Sequence, residues 1–240
     1  MNAAVLTDFG STICKVTVVD LDDGVVVGHG EAPTFLGADV MEGHDAAYDA
    51  ATSHLSRRPD VVVRLASSSA GGGLRMAVVG MVDAMTTAAG ERAALNAGAR
   101  LELVLHGQLT ELDVEAIDEV DPEIILFSGG TDGGQRELVL QNARMLASGS
   151  FAAHVIVACN RDVSQEVADV LTEESKSAYV VANVMPRIGT VQLGEVREAI
   201  LSIFLKHVIR GKKLSERPSF LESVVTATPD AAMCATRLLA

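Results

Sequence analysis

The chain has 240 residues and is 48% apolar, enough for one large domain or two small ones with a real core. A formal net charge of −13, with 19 basic against 32 acidic residues, argues against a nucleic-acid binder, which would carry a dense basic face. Three widely spaced cysteines and no CxxC or His/Cys cluster argue against a disulfide framework or a zinc or iron–sulfur site, and fit a reducing cytoplasm. No apolar stretch approaches about 18 residues, so no membrane span is expected.

In chain order, residues 3–7, 14–21 and 25–30 read as three consecutive strands, with Asp22-Asp23-Gly24 as the second turn, since Asp-Gly supplies the positive φ a hairpin needs. The first turn is the most informative. Asp8 ends an apolar strand, Phe9-Gly10-Ser11-Thr12 makes a polar turn, and Lys15 opens the next strand. That turn gathers one carboxylate, two hydroxyls, several backbone N–H groups and one ammonium at a hairpin tip. Those groups can hold a phosphate chain and its Mg²⁺. An ordinary β-hairpin is the alternative.

A helix over 41–55 follows, closed by Pro59, then a strand over 61–66, the small-residue loop Ser67–Gly73, a strand over 74–82 and an Ala-rich helix over 84–98. From about residue 99 strands and helices alternate. Strands fall at 101–105, 123–127, 154–158 and 178–182, and Thr110 with Asp113 marks a helix start. Helices fall at 135–147, 163–171 and 193–211. The pattern predicts a small doubly wound parallel sheet of about four strands.

The loop Ser128-Gly129-Gly130-Thr131-Asp132-Gly133-Gly134 stands at a strand's carboxyl end, where open parallel sheets bind ligands. Gly129, Gly130, Thr131 and Asp132 are therefore candidate cofactor contacts, against the reading of a structural turn. The basic cluster Lys206, Arg210, Lys212, Lys213 and Arg217 reads as a solvated helix end. Thr228-Pro229-Asp230 starts a helix with Thr as N-cap and Pro at the first position, and that helix is expected to run to the last residue. A helix without a stop signal is expected of a chain that continues.

Asp8-x-Gly10-Ser11-Thr12-x-x-Lys15 resembles the first phosphate loop of the actin, heat-shock-protein and sugar-kinase ATPase superfamily. Together with Ser67–Met76, Ser128–Gly134, Asn183-Val184-Met185-Pro186-x-Ile188-Gly189 and Thr228-Pro229-x-Ala231-Ala232, it resembles the MutL/GlmL-type accessory proteins of adenosylcobalamin-dependent glutamate mutase and related aminomutases. These are unrelated to the mismatch-repair protein of the same name. The resemblance implies an α/β architecture, an actin-like (ribonuclease H-like) ATPase lobe plus a Rossmann-like domain. The domains expected are a lobe over 1–98, an inserted α/β domain over 99–211, and a linker and helix over 212–240 leading to a second half. It implies a cytoplasmic ATP-dependent reactivating chaperone whose partners are the mutase subunits, with ATP and Mg²⁺ as cofactors and neither nucleic acid nor membrane as a partner. Asp8 becomes the catalytic and metal-binding carboxylate, Gly10, Ser11 and Thr12 wrap the terminal phosphates, and Lys15 neutralises charge on them. No second Asp-x-Gly hairpin turn follows residue 190, so half a nucleotide site is expected, with weak ATP binding and negligible hydrolysis by this chain alone. The alternatives are a small-molecule kinase of the same superfamily and a non-catalytic mutase-binding module.

Overall fold

A computed structural model describes residues 1–239, apart from the side chains at 83, 84, 237 and 239. The helix expected to reach the last residue is described to Leu239; residue 240 lies outside the described residues. The chain divides into two compact units, residues 1–73 with 204–240, and residues 74–203.

The first unit opens with β1 (Asn2–Phe9), β2 (Ile13–Asp20) and β3 (Val25–Pro33), a continuous antiparallel meander. Alternate residues Ala3, Val5, Val16 and Val18 are buried under α1 (Val40–Thr52), whose Ala47 and Ala51 complete that core. Gly28 and Gly30 let α1 press onto β3, because a Cβ at either would collide with the carbonyl of Ala51 or Ala47. Asp39 caps α1 through Met41 N at 2.9 Å. β4 (Asp60–Ser68) returns parallel to β1.

The second unit holds β5 (Arg75–Gly80), α2 (Ala88–Asn96), β6 (Arg100–His106), α3 (Glu111–Val120), β7 (Ile124–Gly129), α4 (Glu137–Ala147), β8 (His154–Cys159), α5 (Ser164–Glu173), β9 (Ser177–Val180) and α6 (Gly194–Ile203). Its sheet is wholly parallel in the order β6-β5-β7-β8-β9. β7 is buried on both faces, as its unbroken apolar run requires. Val139, Ala143 and Leu146 of α4 and Val167 and Leu171 of α5 cover one face. On the other, Gly90 of α2 sits against Val78 and Leu126. The predicted capping box of α3 is present, Thr110 accepting from Asp113 N and Asp113 accepting from Thr110 N.

The chain then re-enters the first unit. Residues 204–208 form a π-helical turn, followed by α7 (Ile209–Gly211), α8 (Pro218–Ser223), β10 (Val224–Ala227) and α9 (Thr228–Leu239). β10 pairs parallel with β4, giving the sheet order β10-β4-β1-β2-β3.

Two expectations change. The strand near 75–80 does not continue the first lobe: its neighbours are β6 and β7, so the inserted unit begins at residue 74 rather than 99 and its sheet has five strands. The fifth strand of the first sheet is instead β10, within the stretch 212–240 expected to hold only a linker and a helix. The basic cluster is also more than a solvated helix end. Lys212 Nζ donates to the carbonyls of Gly71 and Gly73 at 2.8 and 2.7 Å, holding three consecutive glycines at positive φ. Arg217 pairs with Asp39 at 3.1 Å and Asp45 at 2.6 Å, tying the segment before α8 to α1.

His44 on α1 is buried between Phe9 and Tyr48, 6.0 and 6.3 Å away between ring centres. Burial lowers its pKa below the ordinary 6.5, against the opposing pull of the Asp45 hydrogen bond. The folded protein therefore keeps this imidazole neutral, while the unfolded chain takes up a proton near pH 6.5. That contribution to stability is complete above about pH 6.5 and is lost as the pH falls toward the folded-state value. Melting temperatures across pH 5–8 should decline on the acid side, and His44→Phe, which keeps the stack, should flatten that decline.

Candidate phosphate-binding site

The β1–β2 pairing puts Asp8 directly opposite Lys15, with Phe9 opposite Cys14 and the turn 10–12 at the tip. Gly10 makes this turn possible, since a Cβ there would lie 2.5 Å from the carbonyl oxygen of Ile13. Alternation points Phe9 and Cys14 into the core and leaves Asp8 and Lys15 on the other face. Asp8 is half-buried; Ser11, Thr12 and Lys15 are exposed.

Three parallel strands, β1, β4 and β10, end at the same edge, and each contributes to one polar cluster. Thr228 Oγ1 donates to Asp8 Oδ1 at 2.6 Å, and Ser67 Oγ donates to the same oxygen at 3.3 Å; the two hydroxyls are themselves 3.3 Å apart. Asp8 Oδ2 has no partner among the described residues. Thr226 Oγ1 donates to Asp230 Oδ2 at 2.6 Å in the first turn of α9. Thr228 stands at the start of α9, as its Thr-Pro-Asp sequence predicts, and its hydroxyl donates to Asp8. Thr228 is the residue that the sequence does not mark as a site candidate; Ser67 opens the Ser67–Gly73 loop, which reads in the sequence as either a ligand-binding or a structural loop. The Thr-Pro pair before an apolar helix was a visible signal, but it read as a helix start.

A cavity of about 380 Å³ adjoins this cluster. Asp8, Lys15, Thr17, His29, Ser67 and Thr226 give it polar lining, and Leu6, Leu65 and Val225 apolar lining. A larger hollow of about 600 Å³ lies at the opposite end of β1, bounded by Met1, Arg57, Arg58 and Asp60, with its neighbouring charges paired as Met1–Asp22 and Arg58–Asp49. It gathers no comparable set of groups. One carboxylate with two hydroxyl oxygens beside it suits Mg²⁺, which keeps several waters and takes one or two carboxylates plus substrate phosphates. Nucleophilic chemistry by Cys14 does not fit: burial first, and then the charge of Asp8, push its thiol up to about 12. Burial does the same to Cys159, also to about 12. A disulfide reagent at pH 8 should thus label Cys234, which is partly exposed, and reach Cys14 and Cys159 only after denaturation.

The second glycine loop belongs to the other unit. Its groups are turned to internal bonds: Asn183 Nδ2 donates to Gly130 O and to Asp132 Oδ1, both at 2.9 Å, and Asp132 Oδ1 also accepts from Arg161 N at 3.2 Å. The fully buried Asn160 accepts from Gly133 N at 3.2 Å. Gly129, Gly130 and Gly133 all adopt positive φ. Gly129, Gly130, Thr131 and Asp132 thus form a braced turn after β7.

A family model described as "MutL protein" matches residues 4–240. Protein MutL of Clostridium tetanomorphum is 39% identical over 241 residues, spanning 100% of this chain and 52% of the relative. The chain thus spans about half the length of this curated relative. Among solved structures, acetone carboxylase in its nucleotide-free form, described under a mechanism of ATP-dependent acetone carboxylation, aligns with a TM-score of 0.41 at 14% identity, covering 88% of this chain and 34% of that one. No helix among the described residues is long and apolar enough to cross a membrane.

Proposed function

The chain belongs to the MutL family, and from that membership we propose that it is the phosphate-holding part of an ATP-dependent reactivating chaperone for an adenosylcobalamin-dependent mutase of the glutamate mutase type. The observation that supports this best is the cluster at the end of β1, where Asp8 is steadied by Thr228 and Ser67 and faces Lys15 across the hairpin. In this reading Asp8 serves the Mg²⁺, the backbone and hydroxyls of Gly10, Ser11 and Thr12 wrap the terminal phosphates, and Lys15 neutralises charge developing on them. Bound ATP would supply the anhydride whose cleavage drives movement that expels damaged cobalamin from the mutase.

Strand order supports an actin-like lobe as the frame. Three antiparallel strands are followed by two parallel ones, and the helical segments 204–223 precede the fifth strand, where such a lobe carries a helix. We assign the Gly129–Asp132 loop a bracing role within the second unit. The adenosine pocket and second phosphate loop would come from sequence matching the part of the curated relative that this chain does not span. Alone, the chain should therefore bind Mg-ATP weakly and hydrolyse it negligibly. We place its work in the cytoplasm, beside the mutase.

The test is recovery of activity by an inactivated holomutase mixed with this chain joined to the part of a MutL protein that it does not span. Recovery that needs Mg-ATP and is lost with Asp8→Ala supports the proposal. Recovery without nucleotide, or equal recovery with Asp8→Ala, refutes it.

A further inference from the structure

We propose that the hollow beside the second glycine loop is an anion site for a small dianion, a phosphate monoester or a dicarboxylate. It lies in the second unit and does not depend on the nucleotide reading. In an open parallel sheet of order β6-β5-β7-β8-β9, strand order reverses between β5 and β7, the usual place for a ligand. Here that place is filled. A Cβ on Gly129 would lie 2.5 Å from Met81 Cγ, and the Ser128 hydroxyl is engaged by the carbonyls of Val79 and Thr86 at 3.1 and 3.3 Å. The open space lies further along the same edge: a cavity of about 290 Å³ lined by Asp132, Arg161, Pro186, Arg187, Thr190 and Gln192.

Its walls are fixed. Asn183 bonds the glycine loop with its amide nitrogen and Met185 N, at 3.0 Å, with its oxygen. Asp132 N donates to Pro186 O, Gln192 N to Val184 O and Thr190 N to Arg187 O, so residues 184–192 form a tight turn with Gly189 at φ 79°. Arg187 and Thr190 bridge each other across that turn.

The lining is rich in donors. Asp132, the one carboxylate in it, already accepts from Asn183 and from Arg161 N. Arg161 Nε is only loosely paired, 3.9 Å from Asp132 and 3.7 Å from Asp162. Among the described residues, the terminal nitrogens of Arg161 and the side chains of Arg187, Thr190 and Gln192 have no hydrogen bond or ion pair. Arg187 has no carboxylate partner among the described residues and Arg161 only the two long ion pairs through Nε, which leaves both planar forks able to take the two oxygens of a phosphate or carboxylate. The cavity is of the size that a small ligand fills.

Calorimetric titration at low salt with inorganic phosphate and, separately, succinate tests this. Saturable binding is expected in a Lys15→Ala background, which weakens the hairpin's own hold on phosphate, and there Arg161→Ala or Arg187→Ala should weaken it roughly tenfold and Arg187→Lys less. Tighter phosphate binding would identify the phosphate monoester class, and tighter succinate binding the dicarboxylate. These arginines are exposed, so melting curves should show all variants folded. The proposal is overturned if neither anion binds saturably in the Lys15→Ala background, or if binding there survives the double arginine substitution.

Discussion

Phe9→Ala lowers the unfolding free energy by about 3–5 kcal/mol, the cost of a large cavity in a closed core. The ring is fully buried at the end of β1. It meets Phe220 edge-on, 5.0 Å between ring centres and 82° between planes, and stacks on His44. Its removal therefore takes away two aromatic contacts as well as its own buried area. Those neighbours belong to α1 and α8, which no single smaller side chain could bridge. Phe9→Leu should lose much less, because it keeps most of the volume. Chemical denaturation, with the slope unchanged and the midpoint shifted, measures both.

Asp8→Ala should reduce Mg-nucleotide affinity by about a hundredfold, the scale on which removing a ligand-orienting or charge-stabilising group acts. Lys15→Ala should cost about tenfold, as one charged contact to phosphate is lost. Lys15→Ala should destabilise the unliganded protein by no more than about 1 kcal/mol, since Lys15 is exposed, and Asp8→Ala by about 1–3 kcal/mol, since it removes the acceptor of Thr228 and Ser67. Mg-ATP should therefore raise the melting temperature of the unaltered chain and leave that of Asp8→Ala in place, by mass action. Loss of the shift together with collapse of the unliganded melting temperature would mark Asp8 as a structural residue instead.

The first hairpin was legible because its signals are local: alternation sets which face Asp8 and Lys15 share, and Gly10 sets the turn. The α3 capping box and the doubly buried β7 were legible for the same reason. What escaped depends on contacts between distant residues. Strand β5 is an apolar run like any other, and nothing within it says which sheet it joins. β10 has four residues, and it pairs with a strand more than 150 positions earlier, on the far side of the inserted unit in the sequence. Thr228 looked like a helix cap because caps favour Thr before Pro; its bond to a carboxylate 220 residues away has no local signature. Lys212 and Arg217 likewise read as solvated charges, although they anchor the glycine triplet and α1.

The central claim is that the β1–β2 hairpin holds the phosphates, and nuclear magnetic resonance of the amide-labelled chain titrated with Mg-ATP addresses it even at weak affinity. The account predicts saturating shifts concentrated at the amides of Gly10, Ser11, Thr12, Ser67 and Thr228, absent without Mg²⁺ and absent in Asp8→Ala. Shifts confined to Gly129–Asp132, or none at any Mg-ATP concentration reached, would contradict it.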